Sequence, residues 1–279
     1  MRVMDVLFAF PAVLLHGLSS NARILDLVAP QLSAAGLAPL AIDLRGHGLS
    51  EKPETAYDFA TFAGDVSAAL RSLGISSPVI VGHSLGAYLA LELAAPEHGI
   101  DPASVVLVDG GVSQMSAMPC VTWEAVRERL TPPRLAGTPL AEFRQRLASP
   151  DRAWRPDERA VEILLANVSL GADGMIAPHL SFERHMQLVR ALWEYPTHAR
   201  LRQAGCPILA VLAEPPAGGS AVDAAHLRAK QHGLAVAAAA GADLQAVWMK
   251  DTVHDIPLHR PDDLAEAILS FLHRTTTAR

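Results

Sequence analysis

The chain has little of three things that would each mark a definite class of protein: cysteine, charge of one sign, and long apolar runs. Two cysteines in 279 residues, Cys120 and Cys206, cannot build a disulfide framework or a cysteine-rich metal site, so both read as reduced and structural. Lysine and arginine number 23 against 29 acidic residues, a net charge of −6 that excludes a polybasic nucleic-acid binder. With 50% hydrophobic and 19% charged residues, the chain is not disordered either. Apolar runs such as Ala12 to Leu15 and Val79 to Val81 end at histidine or glycine, far short of a membrane span. The stretch Met1 to Leu15 carries only Arg2 as a base and has Asp5 inside it, which does not read as a signal peptide, so a cytoplasmic location is the default expectation.

What is present is an alternation. Strands are expected at Ala12 to Leu15, Leu40 to Asp43, Val79 to Val81, Val105 to Val108, Ile208 to Leu212 and Gln245 to Met249, nearly continuous apolar runs of the kind buried on both faces. Between them lie helical stripes: Ile24 to Leu32, Tyr57 to Leu73 with Gly64 as a flaw, and a last helix opened by Pro261 with Asp262 and Asp263 in its first turn. This is an α/β pattern, a mostly parallel central sheet flanked by helices.

Residues 113–202 interrupt it with four amphipathic segments, near Val121 to Leu130, Leu140 to Leu147, Glu158 to Asn167 and Ser181 to Trp193, and no convincing strand. They read as a helical insertion, leaving 1–112 and 203–279 as the core. Met115, Met118, Trp123, Trp154, Met175, Met186, Trp193 and Tyr195 all lie there, most as the insertion's own core and a few as an apolar ceiling for a pocket. The alanine-rich Ala235 to Ala242 reads as helix or tight linker.

Gly82-His83-Ser84-Leu85-Gly86 follows one of these strands and opens a helix expected to run to about Glu97. A serine hydroxyl becomes a useful nucleophile when a sharp strand-to-helix turn holds it clear of the backbone, and small residues two before and two after allow that turn. His16-Gly17-Leu18-Ser19-Ser20 closes the first strand with a glycine turn, which would let the N–H groups of Leu18 and Leu85 pair as an oxyanion hole. His16 there is expected to order the loop. In Asp43-Leu44-Arg45-Gly46-His47-Gly48-Leu49-Ser50, Asp43 and Arg45 are expected to tie a compact turn internally, with His47 structural or solvent-facing. A base must come late, and His254 of Val253-His254-Asp255-Ile256-Pro257 lies between the last strand and the last helix. His98, His179, His185, His198, His226, His232, His259 and His273 have no comparable setting.

Through H-G-L-S-S, D-L-R-G-H-G-L-S, G-H-S-L-G and the terminal H-D-I-P, the first 110 and last 75 or so residues resemble the α/β-hydrolase superfamily, with a helical cap inserted after its sixth strand. The resemblance implies a Ser, acid, His order. The acid usually stands just past the strand at Ile208 to Leu212, yet that place reads Ala213-Glu214-Pro215-Pro216, with proline at the expected position. A minority of the superfamily carries it one strand earlier, where Asp109-Gly110-Gly111 follows Val105 to Val108; Asp109 is therefore favoured, with Glu214 as the alternative. Asp251 and Asp255 adjoin His254 too closely in sequence to reach its far ring nitrogen. Members also begin with a two-stranded hairpin, whereas only 15 residues precede His16; at most one further strand, around Val3 to Phe10, fits, and either the first strands are lost or the recorded start is internal to the gene.

The expected activity is that of a cofactor-independent, metal-free serine hydrolase acting through an acyl-enzyme on a small or medium hydrophobic ester or lactone. A serine at the elbow argues against haloalkane dehalogenase or epoxide hydrolase chemistry. The alternatives are a carbon–carbon hydrolase or perhydrolase on the same fold, and a non-catalytic ligand binder that has lost its acid. The expected partner is a small molecule, without nucleic acid or membrane, and a homodimer is left open.

Overall fold

The computed structural model describes residues 10–149, 154–218 and 220–277. The chain runs through β1 (Phe10–Leu15), α1 (Ala29–Ala34), β2 (Leu37–Ile42), α2 (Phe59–Ser72), β3 (Val79–His83), α3 (Leu85–Leu93) and β4 (Ser104–Val108). An insertion follows, with α4 (Trp123–Leu130), β5 (Thr138–Pro139), α5 (Leu140–Leu147), α6 (Glu158–Leu165), β6 (Val168–Leu170), β7 (Met175–Pro178) and α7 (Phe182–Glu194). The chain returns through α8 (Thr197–Gln203), β8 (Ile208–Glu214), α9 (Ala221–Ala239), β9 (Leu244–Lys250), α10 (Ile256–His259) and α11 (Pro261–Thr277).

All six anticipated strands form, and they join in one sheet of order β2-β1-β3-β4-β8-β9 in which every neighbouring pair is parallel. Of the further strand anticipated around Val3 to Phe10, only Phe10 is described, as the first residue of β1; the rest lies outside the described residues. Side chains alternate between the faces as the pleat requires. Val13, Leu15, Ile80, Val105, Leu107, Ala210 and Leu212 enter the core under α2, α3 and α8. Ala12, Leu14, Val79, Val81, Val106, Val108, Leu209 and Val211 enter the opposite core with α11. That double burial explains the near-continuous apolar runs.

Helix lengths depart from the sequence pattern where proline intervenes. The stripe at Ile24 to Leu32 is split into a single turn, Ala22–Leu25, capped by Asn21, and α1, which starts beside Pro30. Proline lacks the N–H that a continuous helix needs. For the same reason α3 stops at Leu93, before Pro96, and not near Glu97.

The insertion is not purely helical. The four helices are present, but β5, β7 and β6 form a three-stranded antiparallel sheet that the sequence reading lacked, because strands of two to four residues are too short to show a period. Nor does the insertion keep a core to itself. Leu188, Leu192 and Tyr195 join the core on one face of the main sheet, while Phe143, Ile163 and Ile176 join the other.

The main sheet reverses strand order at β1 and β3, so their C-terminal ends open the crevice in which such sheets hold ligands. α11 backs this sheet with Leu264, Ile268 and Phe271, all fully buried. Phe271→Ala is therefore expected to lower the unfolding free energy by about 3–5 kcal/mol. Urea unfolding checks this, and a loss under about 1 kcal/mol would contradict the packing described.

Candidate active site

β3 turns into α3 through Ser84, whose φ of +54° and ψ of −116° lie in a region that side chains disfavour. Holding a residue there costs roughly 1–3 kcal/mol, and the neighbours enforce it. Ser84 N–H donates to the Val108 carbonyl at 2.8 Å, tying the turn to the end of β4. A Cβ on Gly82 would overlap the backbone of Gly86, and one on Gly86 would overlap the Leu15 carbonyl, so both glycines are needed for the close approach. Gly110 is set equally hard against the Ser84 carbonyl.

Three side chains from three loops form a hydrogen-bonded line. Ser84 Oγ lies 2.9 Å from His254 Nε2, and His254 Nδ1–H donates to Asp109 Oδ2 at 2.7 Å, an assignment that leaves Nε2 to accept from the serine hydroxyl. His254 comes from the β9–α10 loop, and Asp109 from the residue after β4, where its own φ is +48°. Glu214 is not part of this line: it ends β8 opposite Lys250, its carbonyl accepts from Thr252 N–H, and no hydrogen bond joins its carboxylate to His254 among the described residues.

The charge state of the line follows from these contacts. Burial alone would raise the Asp109 carboxyl, but the hydrogen bond and charge of His254, together with Lys230, outweigh it and hold the pKa at about 2. Burial likewise lowers His254, yet the hydrogen bond and charge of Asp109 leave it net above its ordinary value. The imidazole is thus made more basic by the carboxylate behind it.

Gly17 brings the β1 loop against the serine, since a Cβ there would stand 3.0 Å from Ser84 Cβ. Leu18 and Leu85 both line the pocket beside Ser84, and Leu85 N–H, at the first position of α3, has no intrahelical acceptor. His16 is fully buried below this loop, its Nε2 accepting from Leu44 N–H at 3.0 Å. Burial is the main reason its pKa falls to about 4, so it stays neutral and orders the loop. His47 is likewise buried and accepts from Ser19 N–H. Asp43 ties its turn by accepting from Ala22 and Leu49 N–H, both at 2.8 Å. Arg45 is not its partner: the guanidinium reaches out to Asp65 at 2.7 Å, which corrects the expected internal pair.

Three neighbours of this line have no role that the sequence assigns. His83, lowered to about 4 chiefly by burial, donates from Nε2 to the His254 carbonyl at 3.0 Å and so fixes the histidine loop to the elbow. His185, from α7, donates from Nε2 to the Leu130 carbonyl, which leaves Nδ1 to accept from Ser19 Oγ at 2.7 Å and links the insertion to the β1 loop. Lys230, from α9, contacts Asp109 Oδ1 at 2.7 Å. The spacing of His83 inside the elbow motif was visible; nothing local marks the other two.

The line opens into a pocket of about 700 Å³. Met115, Met118, Val121 and Leu192 of the insertion roof it, and Val112, Val222 and Ala225 close its sides, so only Met115 and Met118 of the expected ceiling residues face it. A histidine and two carboxylates with metal-like spacing occur at Glu92, Glu97 and His98, outside this pocket. There Arg200 already pairs with Glu92 at 2.9 Å and with Glu97, which makes the group an ion-pair network between α3 and α8.

Residues 12–267 match the alpha/beta hydrolase family, and the chain belongs to it. It is similar to 2-(acetamidomethylene)succinate hydrolase of Mesorhizobium japonicum, 38% identical over 94 residues that make up 34% of this chain and 33% of that protein. It also resembles a non-heme chloroperoxidase of Streptomyces lividans, 34% identical over 140 residues, 50% of this chain and 47% of the relative. The alignments thus span less than half the length of these curated relatives. The solved structure of an E-2-(acetamidomethylene)succinate hydrolase superposes with a TM-score of 0.73 at 24% identity, covering 95% of this chain and 91% of that one, a likeness of fold.

Because the Asp109 pKa drops from 3.8 to about 2 on folding, its stabilising contribution is complete above about pH 4 and is lost as pH falls towards 2. The gap in unfolding free energy between wild type and Asp109→Asn is therefore expected to narrow across that interval. A gap unchanged from pH 5 to 2 in urea melts would contradict the charged, paired Asp109.

Proposed function

We propose that the protein is a serine hydrolase that cleaves a carboxylic ester or related carbonyl substrate through an acyl-enzyme. The observation that carries this reading is the line Ser84 Oγ, His254, Asp109, with spacings of 2.9 and 2.7 Å. In the proposed cycle Ser84 Oγ bonds to the substrate carbonyl carbon as its proton passes to His254 Nε2. The oxyanion is taken up by the N–H groups of Leu18 and Leu85, where the α3 dipole adds its positive end. Collapse expels the leaving group, which takes the proton from His254. Water, deprotonated by His254, then attacks the acyl carbon and returns Ser84. Asp109 keeps His254 in the tautomer with hydrogen on Nδ1 and stabilises the imidazolium.

The apolar roof favours a small or medium hydrophobic acyl or alcohol group, with residues 113–202 acting as a cap over the nucleophile. A second reading, carbon–carbon hydrolysis or perhydrolysis, uses the same three residues; it draws support from the naming of one relative as a chloroperoxidase and is told apart by its products. A ligand binder without an acid loses its main support, because the proline after Glu214 is no obstacle when a carboxylate from β4 stands on His254.

Hydrolysis of p-nitrophenyl butyrate is expected for wild type and is expected to vanish in Ser84→Ala. Asp109→Asn is expected to lower kcat by about 10⁴, as for loss of a triad acid, while Glu214→Gln stays within a few-fold of wild type. A folded wild type with neither turnover nor a burst across a panel of esters, lactones and β-diketones would overturn the reading.

A further inference from the structure

Asp109 has two faces, and the proposed cycle uses only one of them. Oδ2 accepts from His254, whereas Oδ1 accepts from Ala213 N–H at 2.8 Å and meets Lys230 Nζ at 2.7 Å. The same ammonium donates to the Ala213 carbonyl at 2.8 Å. Its side chain is 15% exposed and that of Asp109 is 2% exposed, so this is a nearly dry pair in which water screens little.

The geometry of α9 delivers the lysine. Gly233, one turn beyond it, lies so close to the Val112 carbonyl that a Cβ would overlap it, and Ser113 Oγ donates to the Ala229 carbonyl at 2.9 Å. The helix is thus clamped onto the loop that carries Asp109. Asp223, on the same helix face, turns its carboxylate to a capping box with Ser220, and the ion pair that Lys230 makes is with Asp109.

Resting on the hydrolase reading, we propose that Lys230 is a positioning residue of the active site: its ammonium locks the Asp109 carboxylate with Oδ2 towards His254 and leaves His254 a free base over more of the pH range. A buried carboxylate with no other cation would hold the imidazole proton so tightly that His254 would be imidazolium, and no longer a base, over more of the pH range. Lys230 divides that charge. In line with this, its positive charge opposes the rise that Asp109 imposes on His254. The other groups around the pair are His83 on β3, Tyr88 on α3, His226 and Asp223 on α9, Arg129 on α4 and Asp255 beside His254. Burial keeps Tyr88 neutral and lowers His226 and His83, so among these neighbours Lys230 is the cation in contact with the acid.

The test compares wild type, Lys230→Met and Lys230→Arg by two readouts. One is the pH dependence of Ser84 labelling by a fluorophosphonate, which needs no knowledge of the substrate. The other is the titration of His254 by NMR of histidine-labelled protein, with His254→Gln assigning the signal. In Lys230→Met the acid limb of labelling and the His254 titration are both expected to move up by about one pH unit, while Lys230→Arg stays close to wild type. Should Lys230→Met fail to fold, Lys230→Gln replaces it. Unchanged midpoints with a uniform loss of labelling at every pH would overturn the proposal in favour of a purely structural lysine, as would equal shifts in the arginine variant. Absence of Ser84 labelling in folded wild type would instead sink the hydrolase reading, and the NMR titration would still decide the role of Lys230.

Discussion

The arrangement of the site depends on one buried anion. A carboxylate withdrawn from water is unfavourable unless every lone pair facing the interior is met by a donor, and Asp109 meets that demand with His254, Ala213 N–H and Lys230. Each donor comes from a different element: the β9–α10 loop, β8 and α9. Satisfying one charge therefore fixes the relative positions of three segments far apart along the chain. Asp109 holds a φ of +48°, a strained conformation that its three contacts offset.

The serine is held by a complementary logic, that of close backbone approach. Gly17, Gly82, Gly86 and Gly110 each stand where a methyl group would strike backbone or the Ser84 side chain, so the ends of β1, β3 and β4 crowd around one residue. Ser84 N–H bonded to the Val108 carbonyl connects that crowd to Asp109, the next residue in the chain. Ser84 and Asp109 are thus set by adjacent strand ends, while His83 secures the His254 loop from the β3–α3 turn itself. Residues of the segment between β4 and β8 line the same pocket, and the hydrogen bond of His185 with Ser19 ties that segment to the β1 loop.

Much of this was legible before the fold was seen. The six main strands show because burial on both faces turns them into uninterrupted apolar runs, and the elbow shows because its glycines are spaced by the turn they permit. The short sheet β5-β7-β6 was hidden, since two to four residues carry no period. Breaks at Pro30 and Pro96 divide helices whose apolar spacing runs on across them. Asp43 and Arg45 do not tie their turn together as the sequence suggests, because Asp43 accepts from two backbone donors and the guanidinium turns to Asp65.

By itself the sequence determined the class of fold, the place of Ser84 at a strand-to-helix turn, and a late histidine on the same edge of the sheet. These are properties of local pattern, and local pattern follows from backbone sterics and from which faces are buried. Tertiary structure alone set Asp109, and not Glu214, against His254, brought Lys230 and His185 to the pocket, and placed His83 against the His254 carbonyl. Those choices depend on which side chains meet after β4, β8 and β9 have paired. Distance along the chain carries no trace of that pairing, because a carboxylate chooses its donors by reach and desolvation in space.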